Sequence, residues 1–455
     1  MVSIVNIPIA GFIYAKVVQF VNYLDYPTWV WYLIGLYFLL PVLTYVVLPY
    51  IYGNVSTKKR VIIFVLGDLG HSPRICYHAR SFADKGYSVD LCGYLEEAPP
   101  IDLTENENVS INEIKIIRNT HNLPFIVFGV LKVLGQIINI SKLLFELRGA
   151  NYLLVQNPPS IPTLYIAVVY KYLTRTKLII DWHNLGFSIL QIKLAPTHPF
   201  VAISRIYEKL LASFADINLT VTDAMRKFLQ KQCGVEKKRI IVLYDKAAEQ
   251  FKPLTIDERQ DVISKHPNLF AKFDASTDKV LISSTSFTPD EDFNILIDAL
   301  RKYDTQSTLP KLKVIITGKG PMKNEFLQKV QDADFKKIDV LNAWLTAEDY
   351  PKILATADVG VSLHTSSSGI DLPMKVVDMF GCGVPVIALG FPALPELVTE
   401  GVNGLSVKDS NEMFNSLEKL FKDESYYETL KKGAVLKSAD RWNPNWKSKF
   451  GDRLP

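Results

Sequence analysis

Short apolar runs, each leading into a polar loop and then an amphipathic segment, recur along most of this chain of 455 residues. Such runs are typical of parallel strands buried between layers of helices. They form two sets, separated by a polar, irregular segment from Tyr244 to Pro267 that we interpret as a linker. The predicted strands are Val61–Leu66, Val89–Cys92, Tyr152–Val155 and Leu178–Ile180 in the first set, and Val280–Ser283, Lys313–Thr317, Val359–Leu363, Pro385–Ala388 and Gly404–Val407 in the second.

This alternation predicts an α/β protein with two Rossmann-like, doubly wound domains. We place the first domain at residues 58–250 and the second at 251–430. Residues 431–455 read as a helical segment that packs back on the first domain. Ligands of such domains bind at the carboxyl ends of the strands, so we expect the active site in the cleft between the two sheets.

The N-terminal part of the chain has a different composition. No charged residue occurs between Tyr26 and Tyr52, and about twenty apolar residues suffice to cross a bilayer. Three basic residues follow at 58–60, and basic flanks stay on the cytoplasmic side. A cleaved signal peptide is the rival interpretation, but the run is too long and no small-residue cleavage site follows. We therefore predict that residues 1–57 form a membrane anchor with one transmembrane helix and that the domains behind it are cytosolic.

Two further segments are apolar without clearly spanning a membrane. Residues 4–24 include Lys16 and are expected to lie along the interface. Phe125–Leu147 is apolar with Lys132 and Lys142 interspersed, which fits either an amphipathic helix in the membrane interface or a helix of the protein core. The sequence leaves these two alternatives open.

The bulk composition excludes several classes of protein. Hydrophobic residues make up 48% and charged residues 22%, so extended disorder is not expected. A net charge of only +4 gives no support to a nucleic-acid partner. Four cysteines are scattered without paired spacing, which argues against a disulfide framework and against a zinc site. We therefore predict no metal site, and a reducing compartment.

The most specific motif lies in the second domain. Small hydroxyl residues and a glycine, residues 366–369, precede a predicted helix, whose free N–H groups suit a diphosphate. Lys375 adds a positive charge, and Asp378 is placed to accept hydrogen bonds from ribose hydroxyls. The predicted donor-binding residues are Ser286, Lys319, Ser366, Ser367, Ser368, Gly369, Asp371, Lys375 and Asp378.

Residues Asp378–Val386 are similar to the donor-site helix and following strand of glycosyltransferases with two Rossmann domains (the GT-B fold). Six further segments resemble the chitobiosyldiphosphodolichol beta-mannosyltransferases from residue 58 onward. These segments are GDLGHSPR from Gly67, QNPPS from Gln156, DWHN from Asp181, STSFTPDED from Ser284, GKGP from Gly318 and HTSSSGIDLPMK from His364.

The resemblance implies an endoplasmic-reticulum enzyme that acts on the cytosolic face. It would move mannose from GDP-mannose onto dolichol-diphosphate-linked chitobiose (GlcNAc₂) with a β1,4 linkage and release GDP. It implies no obligatory cofactor, with a divalent cation at most stimulatory. The implied partners are membrane lipids and other glycosyltransferases of the dolichol pathway.

One loop departs from the pattern of many retaining GT-B enzymes, which carry an Arg and a Lys there. The loop Ser286–Asp292 contains no basic residue, so Lys319, Lys375 and the serine-rich helix start would have to hold the diphosphate. The acidic triplet Asp290-Glu291-Asp292 resembles a metal site, but we favour helix capping.

A β product from an α donor requires inversion and a base that takes the proton of the acceptor hydroxyl. Asp68 is our first candidate for this base, with His71 and His183 as alternatives. Each of the first two could instead cap a helix. The predicted acceptor-binding residues are Gly70, Arg74, Asn157 and Asn184. For Arg74 a solvated helix face, and for Asn157 the capping of a turn, are equally compatible with the sequence.

Two other functions remain open at this level. The chain could be another cytosolic-face transferase of the dolichol pathway that uses UDP-GlcNAc or makes an α linkage. It could also be a non-catalytic membrane scaffold that retains a nucleotide-sugar fold. The residues alone do not select guanine or mannose; that preference comes from the resemblance.

Overall fold

A computed structural model describes residues 16, 19, 27–52, 59–289 and 291–455. The first described element is helical from Thr28 to Tyr52: helix α1 (Thr28–Val42), one π-helical stretch (Leu43–Val47) and helix α2 (Leu48–Tyr52). The π-helical stretch and α2 pack against a helix of the first domain. Most of the residues 4–24, expected to lie in the interface, fall outside the described residues.

The first domain is built on a seven-stranded parallel sheet with the strand order β3-β2-β1-β4-β5-β6-β7. Its strands are β1 (Arg60–Asp68), β2 (Ser88–Tyr94), β3 (Val109–Glu113), β4 (Tyr152–Asn157), β5 (Lys177–Trp182), β6 (Ile217–Thr220) and β7 (Ile240–Val242). Its helices are α3 (Pro73–Asp84), α4 (Ile101–Thr104), α5 (Phe125–Glu146), α6 (Thr163–Thr174), α7 (Gly186–Lys193), α8 (Pro199–Ala212) and α9 (Asp223–Cys233).

The central strand β1 shows why this sheet is covered on both faces. Successive side chains of a strand point to opposite sides. Val61 and Ile63 pack in the hydrophobic cluster that includes α3, whereas Ile62 and Phe64 pack in the cluster that includes α5 and α6. An apolar run without alternation is therefore the expected sequence for this strand.

The second domain has a six-stranded parallel sheet with the order β10-β9-β8-β11-β12-β13. A short helix α10 (Ile256–Lys265) precedes it. The strands are β8 (Lys279–Thr285), β9 (Leu312–Gly318), β10 (Ile338–Ala343), β11 (Val359–Ser362), β12 (Val386–Leu389) and β13 (Gly404–Val407). The helices are α11 (Phe293–Asp304), α12 (Lys323–Ala333), α13 (Asp349–Ala355), α14 (Met374–Gly381), α15 (Ser410–Lys422) and α16 (Glu424–Lys437). Two parallel α/β domains confirm the predicted fold class.

Two details differ from the sequence-based prediction. The sequence did not reveal β3, β6, β7 and β10; β3 and β10 are edge strands with half-exposed, mixed polar residues, and β6 and β7 are short. The supposed linker contains α10, which begins with a capping box between Thr255 and Glu258. The expectation of an irregular segment there was wrong, because this cap stabilises a helix in a polar sequence.

The last helix, α17 (Trp442–Lys449), lies on α3 of the first domain. Trp446 Nε1 donates a hydrogen bond of 3.0 Å to His78 Nδ1. Trp442 Nε1 donates one of 3.0 Å to Ser81 Oγ. The C-terminal segment thereby crosses back from the second domain to the first.

One helix of the described residues is long and apolar enough to cross a membrane, by length and composition alone: α5, over Val127–Glu146. The predicted N-terminal helix contributes a shorter apolar stretch, Tyr32–Val42. Ile140 and Leu144 of α5 pack in the core of the first domain, so one face of α5 is a core face.

Candidate active site

Each of the two sheets has a topological switch point, where the connections from two neighbouring strands lead away in opposite directions and where ligands of such sheets bind. In the second domain this point lies between β8 and β11. The loops that follow these two strands meet there, and Glu291 and His364 form an isolated bridge between them. In the first domain the switch point lies between β1 and β4, which end at Asp68 and Asn157.

Glu291 is the organising residue of the second-domain site. It is buried, and its Oε1 accepts a 2.5 Å hydrogen bond from Lys375 Nζ. Its Oε2 accepts one of 3.0 Å from the backbone N–H of Ser286 and one of 2.5 Å from Thr285 Oγ1. Glu291 therefore holds Lys375 at the start of α14. This role was not evident from the sequence, in which Glu291 is the middle residue of the acidic triplet 290–292.

The other described acidic residue of that triplet behaves as expected. Asp292 is the N-cap of α11, and its carboxylate accepts a 3.0 Å hydrogen bond from the backbone N–H of Asn294. Asp290 lies outside the described residues. Among the residues that the structure does describe, no group of three or more His, Cys, Asp or Glu side chains could hold a metal ion.

The serine-rich turn is ordered around Asp371. The hydroxyls of Ser366 and Ser368 donate to Asp371 Oδ1, and His364 Nε2 lies 3.5 Å from Oδ2. Burial opposes ionisation, but the hydrogen bonds from His364 and Ser366 outweigh it and lower the pKa of the Asp371 carboxyl. Gly369 has φ +73°, a conformation that favours glycine. Ser366 and Ser368 thus shape the turn.

Ser367, the middle serine of the turn, contacts the first domain across the cleft. Ser367 Oγ lies 2.9 Å from Ser188 Oγ and accepts a 3.3 Å hydrogen bond from Asn184 Nδ2. On the same side, Thr222 Oγ1 donates to the carbonyl oxygen of Ile370 at 2.5 Å. The serine-rich turn of the second domain is therefore in direct contact with the first domain, and Asn184 lies at the meeting point.

A carboxylate from the second domain closes a second contact between the domains. Glu396 accepts hydrogen bonds from the backbone N–H groups of Asp223 and Ala224 at 2.7 and 2.8 Å, which are the first residues of α9. It also accepts one of 2.9 Å from Tyr244 OH. A negative charge at a helix N-terminus is stabilising, so we call these contacts the Glu396 latch.

Asp68 and His71 form a pair at the first-domain switch point. Asp68 Oδ2 lies 2.6 Å from His71 Nδ1, and its Oδ1 accepts the backbone N–H groups of Glu96 and Glu97 at 2.8 and 3.1 Å. Burial opposes ionisation, yet these hydrogen bonds, that of Glu97 foremost, lower the pKa of the Asp68 carboxyl. Asp68 is thus held ionised with both oxygens engaged, whereas the His71 side chain is 56% exposed.

Gly70 stands beside this pair. A Cβ added to Gly70 would lie 2.9 Å from the carbonyl oxygen of Glu97, so a larger residue would push the two loops apart. The geometry shows a close approach of two backbones.

Arg74 lies at the centre of a buried ion network. Its side chain is 1% exposed; Nε and Nη2 donate to both oxygens of Asp181 at 2.7 and 2.8 Å, and Nη1 donates to Asp245 Oδ1 at 2.6 Å. Burial opposes ionisation of Asp181, but the charge of Arg74 lowers its pKa far below the usual range. The acceptor-binding role expected of Arg74 does not fit this burial, nor does a solvated helix face.

His183 and Asn157 also differ in exposure. His183 Nε2 lies 3.9 Å from Asp245 Oδ2, and its side chain is about one quarter exposed. Asn157 is fully buried, and its Nδ2 donates to Glu208 Oε1 at 3.1 Å and to the carbonyl oxygen of Asn184 at 3.3 Å. The alternative in which Asn157 holds a turn agrees with the structure, and the acceptor-binding role expected of it does not.

Two residues predicted to bind the donor, Lys319 and Ser286, lie on the loops after β9 and β8. Lys319 Nζ lies 3.6 Å from the ring centroid of Trp344, a half-exposed residue that follows β10. A Cβ on Gly320 would collide with the carbonyl oxygen of Ser286, so this loop touches the loop after β8. Lys319 and Ser286 are thus brought to the same end of the sheet as the serine-rich turn.

Asp378 lies on α14 one turn beyond Lys375. Loss of solvent, and then the negative charge of Asp245, raise the pKa of its carboxyl well above the ordinary value. The two carboxylates come from different domains, so the cleft brings like charges together.

Two family models match the two halves of the chain: Glycosyltransferase Family 4 over residues 70–245 and Glycosyl transferases group 1 over residues 278–423. Solved structures share the fold. Anabaena HepE in complex with UDP and glucose has a TM-score of 0.64 at 17% identity, covering 87% of this chain and 99% of its own. WaaG, a glycosyltransferase involved in lipopolysaccharide biosynthesis, has a TM-score of 0.62 at 12% identity over 87% and 100%. The two domains and their cleft are those of a GT-B glycosyltransferase.

Comparison with curated relatives identifies one family within the GT-B glycosyltransferases. Proteins named chitobiosyldiphosphodolichol beta-mannosyltransferase are 50% identical in Debaryomyces hansenii, over 94% of each chain, and 49% identical in Candida albicans, over 93% and 94%. The Homo sapiens protein of that name is 36% identical over 85% of this chain and 91% of its own. The chain belongs to the chitobiosyldiphosphodolichol beta-mannosyltransferase family.

Proposed function

We propose that this enzyme transfers mannose from GDP-mannose to dolichol-diphosphate-linked chitobiose and forms a β1,4 linkage with inversion. The observation that carries the proposal is the agreement of family and site. A relative that is 50% identical is named chitobiosyldiphosphodolichol beta-mannosyltransferase. A cation, Lys375, is held at the start of α14 beside the serine-rich turn, where a leaving diphosphate would be stabilised.

The donor side of the reaction needs positive charge for the departing GDP. Lys375 and the N–H groups at the start of α14 supply it, with Lys319 on the neighbouring loop. Asp378 accepts the ribose hydroxyls in this proposal. No obligatory metal is part of it; a divalent cation would act only as a stimulant, which turnover with and without EDTA tests.

The acceptor side needs a base. In our proposal His71 Nε2 takes the proton of the attacking hydroxyl, the hydroxyl oxygen bonds to the anomeric carbon, and the bond to GDP breaks. Asp68 orients the imidazole through Nδ1 and balances its positive charge. This modifies the preference for Asp68 as base, because its carboxylate is already engaged by two N–H groups and by His71. His183 remains the alternative.

The place of action is a proposal as well. The uncharged helical run Thr28–Tyr52 is roughly 37 Å long at 1.5 Å per residue, enough for the hydrocarbon core of a bilayer. We propose that it anchors the enzyme in the endoplasmic-reticulum membrane with both domains in the cytosol. An assembly with other glycosyltransferases of the same pathway would bring successive acceptors to the cleft.

The test is turnover of the purified full chain with GDP-mannose and a short-chain chitobiosyl-diphospho-lipid, followed by linkage analysis of the product. We expect one mannose in β1,4 linkage and no product with UDP-GlcNAc. Product from UDP-GlcNAc alone, or an α linkage, would assign the chain to another transferase of the pathway. A complete lack of transfer from any nucleotide sugar would support the scaffold alternative.

A further inference from the structure

The start of α7, just after β5, is held by a residue of another helix. Helix α7 begins at Gly186, and its N-cap residue, Leu185, provides no side-chain acceptor. The first N–H groups of a helix have no partner within the helix and need an acceptor from elsewhere. Glu208 of α8 supplies it: Oε1 accepts the N–H of Gly186 at 2.8 Å, and Oε2 accepts that of Phe187 at 3.4 Å. A carboxylate from α8 therefore caps α7.

The same carboxylate also holds the end of β4. Asn157 Nδ2 donates to Glu208 Oε1 at 3.1 Å, and the Ser160 hydroxyl donates to the carboxylate as well. Asn157 in turn binds the chain after β5, because its carbonyl oxygen accepts the N–H of His183 at 2.9 Å. One buried group thus ties the segments that follow two neighbouring strands to each other.

The burial of Glu208 opposes its ionisation, which points to a specific need for a carboxylate. The residue is 1% exposed, and burial raises the pKa of its carboxyl, a rise that its hydrogen bonds oppose only in part. Among the residues that the structure describes, its hydrogen-bond partners are N–H groups and one hydroxyl. A carboxylate accepts at both oxygens, whereas the NH₂ end of an amide would face one of these donors.

Residues 183–188, which we call the α7 loop, are the part of the first domain that meets the serine-rich turn. Asn184 Nδ2 donates to Ser367 Oγ at 3.3 Å, and Ser367 Oγ lies 2.9 Å from Ser188 Oγ. The Ser188 hydroxyl donates to the carbonyl oxygen of Leu185 at 2.8 Å, so the hydrogen between the two serines comes from Ser367. Ser367 makes both contacts only while Asn184 and Ser188 keep their spacing.

We propose that Glu208 is a positioning residue: by capping α7 it keeps Asn184 and Ser188 in place to fix Ser367, and so fixes the turn that receives the donor diphosphate. The inference rests on the proposed function in one respect, that the serine-rich turn binds the donor. It adds a residue of the first domain to those that shape this site, and this residue acts through the α7 loop.

The first test is a double-mutant cycle on the KM for GDP-mannose. Glu208→Gln keeps the size of the side chain but turns an NH₂ group toward an N–H donor, and the KM should rise about tenfold. Ser367→Ala removes the group on which the α7 loop acts, so in that background Glu208→Gln should raise the KM by about twofold at most. A merely structural role would lower the amount of active enzyme, and hence the apparent kcat, without changing the KM.

An unchanged KM in Glu208→Gln, or a tenfold rise in both backgrounds, would overturn the proposal. A second variant leaves Glu208 in the chain. In Gly186→Ala the new Cβ lies 2.8 Å from Glu208 Oε1, which displaces the carboxylate from the start of α7 and should raise the KM as well.

The matched control is Asp409→Ala, which removes another carboxylate that caps a helix. Asp409 accepts two N–H groups at the start of α15, at 2.8 and 3.0 Å. Its loss should lower the thermal midpoint and leave the KM for GDP-mannose unchanged. A raised KM in this control would mean that the loss of any helix cap disturbs the donor site, which contradicts a particular role of Glu208.

A further measurement needs no mannose transfer. The full chain with Cys233→Ser, Ser188→Cys and Ser367→Cys should form a disulfide across the cleft in oxidised glutathione, since the two serine oxygens lie 2.9 Å apart. The other three native cysteines are buried. Addition of Glu208→Gln should slow this cross-link about tenfold, whereas Asp409→Ala should not. An equal rate with and without Glu208→Gln would overturn the proposal, whichever nucleotide sugar the enzyme uses.

Discussion

Lys375 Nζ and Glu291 Oε1 form an ion pair of 2.5 Å that ties the start of α14 to the loop after β8. An ammonium group has three donors, and Glu291 uses one of them. The pair fixes a cation at the end of the sheet where the loops after β8 and β11 meet. It does so without a basic residue in the loop 286–292 itself.

Removal of this cation should weaken donor binding. For Lys375→Ala we expect the KM for the nucleotide sugar to rise about 10- to 100-fold, the usual value of a charge-assisted hydrogen bond. Glu291→Gln should raise it less, because the cation remains but is no longer held. Steady-state kinetics with varied donor checks both, with Lys329→Ala on α12 as the control. An unchanged KM in Lys375→Ala would remove Lys375 from the donor site.

The proposed roles of His71 as base and of Asp68 as the residue that orients it predict losses of different size in the two variants. His71→Ala should lower kcat about 10²- to 10⁴-fold, the usual contribution of a general base. Asp68→Asn should lower it less, because the imidazole remains but loses the carboxylate that orients it through Nδ1. Steady-state kinetics of the two variants measures both losses. A larger loss in Asp68→Asn than in His71→Ala would return the role of base to Asp68, and near-normal turnover in His71→Ala would transfer it to His183.

Asp378 predicts a conflict between stability and function. Its folded-state pKa is raised, so the stability that it contributes is present at acidic pH and is lost as the pH rises through that value. Asp378→Asn removes the free-energy cost of a buried, ionised carboxylate at high pH. The thermal midpoint should therefore rise by about 2 °C at pH 8 and by less at pH 5. The same substitution should weaken donor binding. Calorimetry at the two pH values, together with donor KM, measures both; a lower midpoint at pH 8 would contradict the argument.

The buried network around Arg74 should matter for stability. Arg74→Ala leaves Asp181 and Asp245 without their cation, which typically costs about 3–5 kcal/mol. If that variant does not fold, Arg74→Lys offers a milder test, since lysine cannot bind two carboxylates with the same fork. Arg80→Ala, at a more exposed pair with Asp102, should cost less than about 1 kcal/mol. Urea unfolding followed by circular dichroism provides the comparison.

The Glu396 latch predicts a shift in domain closure. Glu396→Gln keeps the size of the side chain but removes the negative charge at the start of α9, and should weaken this contact between the domains about tenfold. A fluorophore pair, one dye on each domain, should report a larger mean separation. Glu400→Gln, a nearby exposed carboxylate, is the control. An unchanged separation would mean that other contacts set the closure.

The sequence revealed those parts of the fold that can be recognised from the composition of a short segment. Central strands such as β1 carry an uninterrupted apolar run, here Val61–Leu66, because helices cover both faces of the sheet, so these strands were evident. Edge strands such as β10 carry polar residues and were not. The capping box of α10 was readable in principle, but its polar surroundings favoured the interpretation as a linker.

In the candidate site, too, only features readable from a short segment could be predicted. The serine-rich turn and Lys375 were predicted from one short motif. The partner of Lys375, Glu291, lies 84 residues away, and the partners of Arg74 lie 107 and 171 residues away. No local pattern links such residues; only the order of strands in the sheet brings them together.

The crossing of α17 onto α3 has a consequence for synthesis on the ribosome. Phe82 of the first domain packs against Trp446 and Phe450, which are made only after the whole second domain. During translation the aromatic surface around Phe82 therefore stays uncovered after the first domain is complete, until about 200 further residues have been synthesised. We expect nascent chains of intermediate length to depend on chaperones, and full-length chains to be released from them.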